Sequence, residues 1–132
     1  MFRTGILVMS DKGARSERED LSGKKIEEML GSGYSVEYYE IVPDEKDIIA
    51  EKLRHACEIQ RLDLVLTSGG TGFSNRDVTP DATLEIIEKP TPGIPEAIRY
   101  YGLQKTPKAM LSRAVAGIRG KTLIINMPGS VK

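Results

Sequence analysis

Residues 62–81 read LDLVLTSGGTGFSNRDVTPD and decide most of what the sequence says about fold and function. The apolar run that begins at Leu62 has the length of a strand and predicts a buried strand of a parallel sheet. The run ends in Ser68-Gly69-Gly70-Thr71-Gly72, which carries no side-chain bulk at its three glycines. We therefore expect a strand whose carboxyl end opens directly into a glycine-rich loop.

This glycine loop, residues 68–72, has the composition of an anion-binding site. Glycines allow successive backbone N–H groups to turn inward as a concave nest, and the hydroxyls of Ser68 and Thr71 can add donors. Asp77 follows the last glycine by five residues. Because a carboxylate repels a phosphate unless a cation lies between them, this spacing favours Mg²⁺ that bridges the protein and a phosphoester.

The glycine loop does not match the standard nucleotide-binding motifs. It lacks the lysine of a P-loop, and Asn75 stands where a dinucleotide fingerprint would have its third glycine. A tight strand-to-helix turn that needs positive φ would also explain Gly-Gly-x-Gly. The strand before the loop and Asp77 after it favour the ligand site.

Composition excludes several classes of function. The 132 residues are enough for one domain, and 19 basic residues balance 19 acidic ones, so no basic excess favours nucleic acid or a membrane surface. One cysteine, Cys57, and one histidine, His55, exclude an internal disulfide and a Cys/His zinc site. The chain has no apolar run near the ~20 residues that span a bilayer and no signal pattern, which predicts a cytoplasmic location.

Strands and helices alternate before the glycine loop. Strands are predicted at residues 3–9 and 34–42, and again from Leu62. One helix, capped by Asp20 or Ser22, ends at Gly31, and a second runs from Asp44 or Asp47 to about residue 60. This order predicts a parallel sheet with right-handed crossovers.

Prolines mark the elements that follow the loop. Thr79 is a predicted cap for a helix over residues 80–87, and Thr106 caps a short helix over 107–111. A further helix is predicted over residues 94–101. Residues 114–118 and 122–127 flank Arg119-Gly120-Lys121 and predict a hairpin, which would add an antiparallel pair to the sheet.

Polar residues gather where the predicted strands end. Ligands of open parallel sheets bind outside the carboxyl ends of the strands, and four segments fall there, namely Ser10-Asp11, Asp44, residues 68–77 and Pro128-Gly129-Ser130. Asp44 could instead be a helix N-cap, and Asp81 is explained by its place in the first turn of a helix. Arg76, Lys105 and Lys108 are candidate polyphosphate contacts or solvated surface charges.

The order of these motifs resembles a known family. Val42-Pro43-Asp44, then residues 67–83, then Asn126-Met127-Pro128-Gly129-Ser130 are similar to the molybdopterin adenylyltransferases and their relatives in molybdenum cofactor biosynthesis. The resemblance covers nearly the whole chain. It implies an α/β domain of three layers, α/β/α, with a mostly parallel sheet and an antiparallel hairpin near the C-terminus, commonly assembled as a trimer. It also implies Mg²⁺-dependent transfer of AMP from ATP to the terminal phosphate of molybdopterin, with release of pyrophosphate.

The resemblance also implies roles for residues of this chain. Asp44 and Asp77 correspond to the family's two functional aspartates, as catalytic residues and as holders of Mg²⁺. The residues that would bind the substrates are Ser10, Asp11, Ser68, Gly69, Gly70, Thr71, Gly72 and Ser130. The family usually continues with Pro-Lys and a further helix, whereas Val131-Lys132 follows here, so we expect one domain over residues 1–132 without that helix.

Three alternatives to this function remain open. The chain could bind the pterin without adenylylating it, because a glycine loop alone suffices for binding. It could adenylylate some other small phosphate. It could also be a structural oligomerisation or scaffold domain, in which the glycine loop is only a turn and the two aspartates are only caps.

Overall fold

The computed structural model describes residues 1–10 and 21–128, and the side chains of residues 1–10 and 25–128. Six strands in these ranges form one sheet: β1 (Phe2–Met9), β2 (Tyr34–Val42), β3 (Leu64–Ser68), β4 (Lys89–Pro90), β5 (Ala116–Arg119) and β6 (Thr122–Met127). The helices are α1 (Leu21–Met29), α2 (Lys46–Glu58), α3 (Thr79–Ile86) and α4 (Gly93–Leu103), and a 3₁₀ helix spans Pro107–Leu111.

The sheet is mostly parallel, as predicted. Its strand order is β2-β1-β3-β6-β5-β4, with β2, β1, β3 and β6 parallel to one another. The predicted hairpin is confirmed, since Arg119 pairs with Thr122 across a two-residue turn in which Gly120 has φ +60°. The sequence did not predict β4, in which Lys89 and Pro90 pair with β5 at the edge of the sheet, where a proline is tolerated.

Both faces of the sheet are covered, which completes the three-layer α/β/α arrangement. Successive side chains of a strand point to opposite faces. Leu7 and Met9 belong to the apolar core under α2 and α3, whereas Ile6 and Val8 point to the other face and are equally buried. Burial on both faces explains why this strand reads as an uninterrupted apolar run. None of the helices in the described residues combines the length and the hydropathy that a membrane span requires.

Two helices are not capped as predicted. The first is α2, which begins at Lys46, so Glu45 occupies the cap position, and its side chain makes no capping hydrogen bond. The second is α3, which begins one residue early, with Thr79 inside the helix and Val78 at the cap. The third cap is confirmed, since the Thr106 hydroxyl accepts a hydrogen bond from the backbone N–H of Lys108. The predicted cap residues of α1, Asp20 and Ser22, lie outside the described side chains.

Candidate functional site

The glycine loop follows β3 directly and needs glycine at two positions. Gly69 has φ +95° and Gly70 has φ +71°, a region that side chains disfavour. A Cβ atom on Gly69 would lie 2.6 Å from the carbonyl oxygen of Met9, and one on Gly70 would lie 2.2 Å from Oγ1 of Thr79. The loop therefore packs tightly between the end of β1 and the start of α3.

Every carbonyl from Gly69 to Gly72 is held by one of two residues. Thr79 donates from its hydroxyl (3.0 Å) and from its backbone N–H (3.2 Å) to the carbonyls of the first two glycines. Arg113 donates from its backbone N–H (2.8 Å) to the carbonyl of Thr71 and from Nε (2.9 Å) to that of Gly72. The loop backbone is therefore fixed over four successive peptide units.

This anchoring determines where the loop N–H groups point. In a trans peptide the N–H lies opposite the C=O, and the described residues contain no cis peptide bond. The N–H groups of residues 70–73 therefore point away from Thr79 and Arg113, and none of the described residues accepts a hydrogen bond from them. The N-terminus of α3, with its partial positive charge, adjoins the loop. These features make the loop suited to an anion.

Asp77 turns its carboxylate toward the last glycine of the loop. Oδ2 accepts hydrogen bonds from the backbone N–H (3.1 Å) and the hydroxyl (2.7 Å) of Ser74. A Cβ atom on Gly72 would lie 2.7 Å from this Oδ2. The other oxygen, Oδ1, accepts no hydrogen bond from the described residues. Ser74 thus orients the carboxylate through Oδ2 alone, and Oδ1 is unbound by the residues that the structure describes.

Asp44 approaches the same loop from the end of β2. Its Oδ1 would lie 3.2 Å from a Cβ atom on Gly70. The N-cap interpretation of Asp44 is wrong, because α2 begins two residues later with Glu45 at the cap. Asp44 and Asp77 therefore lie beside the loop at glycines two positions apart.

The donor set of this site suits a hard cation shared with a ligand. Among the described residues, no group of three or more His, Cys, Asp or Glu side chains could hold a metal ion. Magnesium usually takes one or two protein carboxylates together with substrate phosphates and water. Two aspartates beside a backbone anion site fit this pattern, in which the protein supplies only part of the ligands.

Arg113 is the residue of this site that the sequence analysis missed. Nη1 and Nη2 donate to the two carboxylate oxygens of Asp81, at 3.2 and 3.0 Å, and Nη2 also donates to the backbone carbonyl of Asp77. The hydrogen bond from Arg113 holds the pKa of the Asp81 carboxyl below its usual value. Asp81 lies in the first turn of α3, as predicted, but its carboxylate is bound by Arg113 in addition.

A buried polar network lies behind the loop. The side chain of Asn126 is fully buried, and its Nδ2 donates to Oγ1 of Thr67 (3.0 Å) and of Thr83 (3.1 Å). Its Oδ1 accepts from the backbone N–H of Val115 (3.1 Å). The Thr83 hydroxyl donates to the carbonyl of Thr79, the residue that holds the first two loop carbonyls. The network joins β6, β3 and α3 beneath the site.

The structure places some of the remaining predicted residues. Ser10 is nearly buried at the end of β1, and its backbone N–H donates to the Val42 carbonyl at 2.8 Å, which puts it on the same edge as the loop. Ser68 and Thr71 are buried. Asp11 and Ser130 lie outside the described residues. Of the candidate cations, Lys105 lies over the ring of Tyr101, with Nζ 4.7 Å from the ring centre.

Comparison with known proteins identifies the family. Residues 5–132 match the model of a probable molybdopterin binding domain. A molybdopterin adenylyltransferase of Helicobacter pylori is 48% identical over 97% of this chain and 74% of its own length, and that of Escherichia coli is 38% identical over 99% and 69%. The crystal structure of the molybdopterin biosynthesis enzyme MoaB from Thermus thermophilus superposes with a TM-score of 0.92, with 52% identity over 98% of this chain and 82% of that one. The chain therefore belongs to the molybdopterin-binding domain family of molybdenum cofactor biosynthesis, whose members include nucleotidyl-transferring enzymes.

Proposed function

We propose that the chain transfers the AMP group of ATP to the terminal phosphate of molybdopterin. An oxygen of that phosphate attacks the α-phosphorus of ATP, a P–O bond forms there, and the bond to the β-phosphate breaks to release pyrophosphate. One observation supports the proposal above the others: a glycine loop whose four carbonyls from Gly69 to Gly72 are all hydrogen-bonded lies beside the two aspartates, in a chain whose relatives are named molybdopterin adenylyltransferases.

The residues present suit this chemistry because the terminal phosphate of molybdopterin is the nucleophile and the protein need not supply one. Phosphoryl and nucleotidyl transfers depend on positioning and charge neutralisation rather than on a protein nucleophile. Burial raises the pKa of the Cys57 thiol, so that thiol is a poor nucleophile. The N–H groups of residues 70–73 would bind a phosphate of the pterin or the nucleotide.

Asp44 and Asp77 are the proposed holders of Mg²⁺. Two observations support this assignment: Oδ1 of Asp44 lies near Gly70, and Oδ1 of Asp77 accepts no hydrogen bond from the described residues. Mg²⁺ between these carboxylates and the phosphates would neutralise charge on the transferring group. Ser74 would keep Asp77 oriented while Oδ1 binds.

The proposal is tested by pyrophosphate release from ATP and Mg²⁺, with and without molybdopterin. Asp77→Asn removes the charge but preserves size, so we expect turnover to fall by at least about 10²-fold. Asp47→Asn is the matched control, because it makes the same charge change at an exposed residue in the first turn of α2.

The outcomes separate the functions that the sequence left open. Pterin-dependent release that Asp77→Asn abolishes and Asp47→Asn preserves supports adenylylation. Pterin binding without release would make the chain a binding module. Release that depends on another phosphorylated compound instead of molybdopterin would redirect the substrate assignment. The cytoplasmic location stays a prediction, which fractionation of cells that express the protein would test.

We also propose that the chain assembles with copies of itself, as a trimer by the resemblance. Among the eleven residues of α4, only Pro95 is buried. Large apolar side chains are exposed on α4 and the 3₁₀ helix after it, forming what we call the α4 surface, made of Tyr100, Tyr101, Leu103, Met110 and Leu111. Contiguous exposed apolar surface on a soluble domain commonly marks a protein interface.

Light scattering coupled to gel filtration tests the assembly. Leu103→Asp introduces a charge into the α4 surface, so we expect the monomer mass. Ile59→Asp places the same charge on an exposed isoleucine just beyond α2, outside the α4 surface, and should leave the mass unchanged. A monomeric wild-type chain at micromolar concentration would contradict the proposal.

A further inference from the structure

The guanidinium of Arg113 is almost wholly engaged by the protein. Of its five N–H donors, Nε is bound to the Gly72 carbonyl, Nη1 to Asp81, and Nη2 to both Asp81 and the Asp77 carbonyl. Four donors are therefore committed within the domain. A side chain in this state holds protein groups together and has little capacity left to bind a substrate.

These bonds join the two ends of the segment that carries Asp77. The backbone N–H of Arg113 holds the carbonyl of Thr71, and its side chain holds the carbonyls of Gly72 and Asp77. The segment 71–77 leaves β3 and returns to α3, and Arg113 joins its two ends by hydrogen bonds. The planar fork of a guanidinium fits such divergent acceptors, whereas an ammonium group binds as a point charge.

The backbone on either side of Arg113 is itself held by Arg99. Nη1 of Arg99, on α4, donates to the carbonyl of Ala114 (2.8 Å) and to that of Ser112 (3.4 Å). These two carbonyls flank Arg113 in the chain. Ser112 is extended, with φ −70° and ψ 129°, and in extended backbone successive residues face opposite sides, so residues 112 and 114 share one side and Arg113 faces the other. Arg99 thus fixes the stretch from one side while Arg113 faces the glycine loop on the other.

We propose that Arg113 is a positioning residue, which fixes segment 71–77 and thereby the loop N–H groups and the carboxylate of Asp77. Its effect on catalysis rests on the proposed function, but its effect on the shape of the loop does not. Removal of the side chain frees the carbonyls of Gly72 and Asp77 and leaves Asp81 without its partner. The peptide units that present N–H groups to the anion then lose their orientation.

Arg119 provides a matched control. Like Arg113, it joins a carboxylate, that of Glu58, to a backbone carbonyl, that of Ile86. It lies on the hairpin strand β5, away from the glycine loop. Arg113→Ala and Arg119→Ala therefore delete the same kind of bridge in two places, and only the first is next to the loop.

The first measurement is amide hydrogen exchange, which needs no turnover. The N–H groups of Asp77 and Thr79 are bonded to the carbonyls of Ser74 and Gly70. We expect both to exchange at least about tenfold faster in Arg113→Ala and to stay unchanged in Arg119→Ala. Unchanged exchange in Arg113→Ala would overturn the proposal whether or not the chain proves to be an adenylyltransferase.

The second measurement is pyrophosphate release. At saturating ATP, Mg²⁺ and molybdopterin, kcat should fall about 10²-fold in Arg113→Ala, because small misplacements of catalytic groups cost that much. Arg119→Ala should stay within about threefold of wild type. Arg113→Lys keeps the charge beside Asp81 without the fork and should resemble Arg113→Ala. Full kcat in Arg113→Lys would overturn the geometric role. An inactive wild-type chain with faster exchange in Arg113→Ala would refute the proposed function and support the positioning role.

Discussion

The polar groups at the two ends of the sheet differ in whether they are bound by other groups of the domain. At the amino ends of the strands, Asp63 accepts the backbone N–H of Arg3 (2.8 Å) and pairs with Lys121 (3.2 Å). Glu37 there binds the Arg3 guanidinium and the Ser35 hydroxyl. At the carboxyl ends, four loop N–H groups and Oδ1 of Asp77 have no hydrogen-bond partner among the described residues.

The difference separates groups that serve stability from groups prepared for a ligand. At the amino ends, each of these charges is used within the domain. At the carboxyl ends, Thr79 and Arg113 bind the loop carbonyls so that the loop N–H groups point away from both, and the backbone is kept in positive-φ conformations that only glycine adopts readily. Such organisation persists because the surrounding structure determines it. Substitutions at the carboxyl ends should therefore affect turnover, whereas substitutions at the amino ends should affect only stability.

The largest effect is expected for Gly70→Ala at the carboxyl end. The new methyl group would lie 2.2 Å from Oγ1 of Thr79 at φ +71°. We expect the free energy of unfolding to fall by about 2–4 kcal/mol from left-handed strain and overpacking. Pyrophosphate release should fall by more than about 10²-fold. Urea unfolding and the turnover assay measure the two effects.

Gly33→Ala is the control at the amino end. A Cβ atom there meets nothing within 4 Å, and Gly33 precedes β2. We expect the free energy of unfolding to change by less than about 1 kcal/mol and activity to be kept. A Gly70→Ala protein as active as Gly33→Ala would show that the loop geometry does not matter for turnover.

The second effect concerns the buried network behind the loop. Asn126→Leu has similar volume at a fully buried side chain but leaves the partly buried N–H of Val115 without its acceptor. It also removes a donor from the hydroxyls of Thr67 and Thr83. We expect a loss of about 2–4 kcal/mol in the free energy of unfolding. Asn75→Leu, at an exposed position after the glycine loop, should change it by less than about 0.5 kcal/mol. Equal losses in the two variants would contradict the network.

The sequence predicted the elements that depend on local patterns. Alternating apolar runs, proline positions and glycines located the parallel strands, the hairpin and the glycine loop, and a resemblance supplied the pairing of Asp44 with Asp77. The role of Arg113 could not be predicted, because its acceptors are mostly backbone carbonyls, which have no sequence signature. The role of Thr79 was misassigned because a threonine before a proline looks like a cap, whereas its hydroxyl holds Gly69. Both residues act through tertiary contacts, which periodicity does not encode.

The smallest effect is a pH dependence at the amino end, carried by Asp63. The backbone N–H of Arg3 and, after it, Lys121 lower the pKa of the Asp63 carboxyl in the folded protein. A lowered folded pKa contributes stability above the unfolded value, near 3.8, and that contribution is lost as the pH falls through the folded pKa. Wild type should therefore exceed Asp63→Asn in free energy of unfolding at neutral pH, and the difference should shrink in acid.

Lys121→Met distinguishes the two causes. Because the N–H of Arg3 is the larger one and remains in this variant, most of the acid dependence that Asp63 contributes should persist, whereas Asp63→Asn removes that contribution. The contribution of Lys121 is an exposed ion pair, which salt screens, so added salt should bring wild type toward Lys121→Met but not toward Asp63→Asn. Urea unfolding between pH 2.5 and 7 measures each slope. If Lys121→Met abolished the acid dependence that Asp63 contributes, the ion pair rather than the backbone hydrogen bond would set the pKa of Asp63. The charges at the amino end would then be stabilised in the same way as an ordinary surface ion pair, which salt screens.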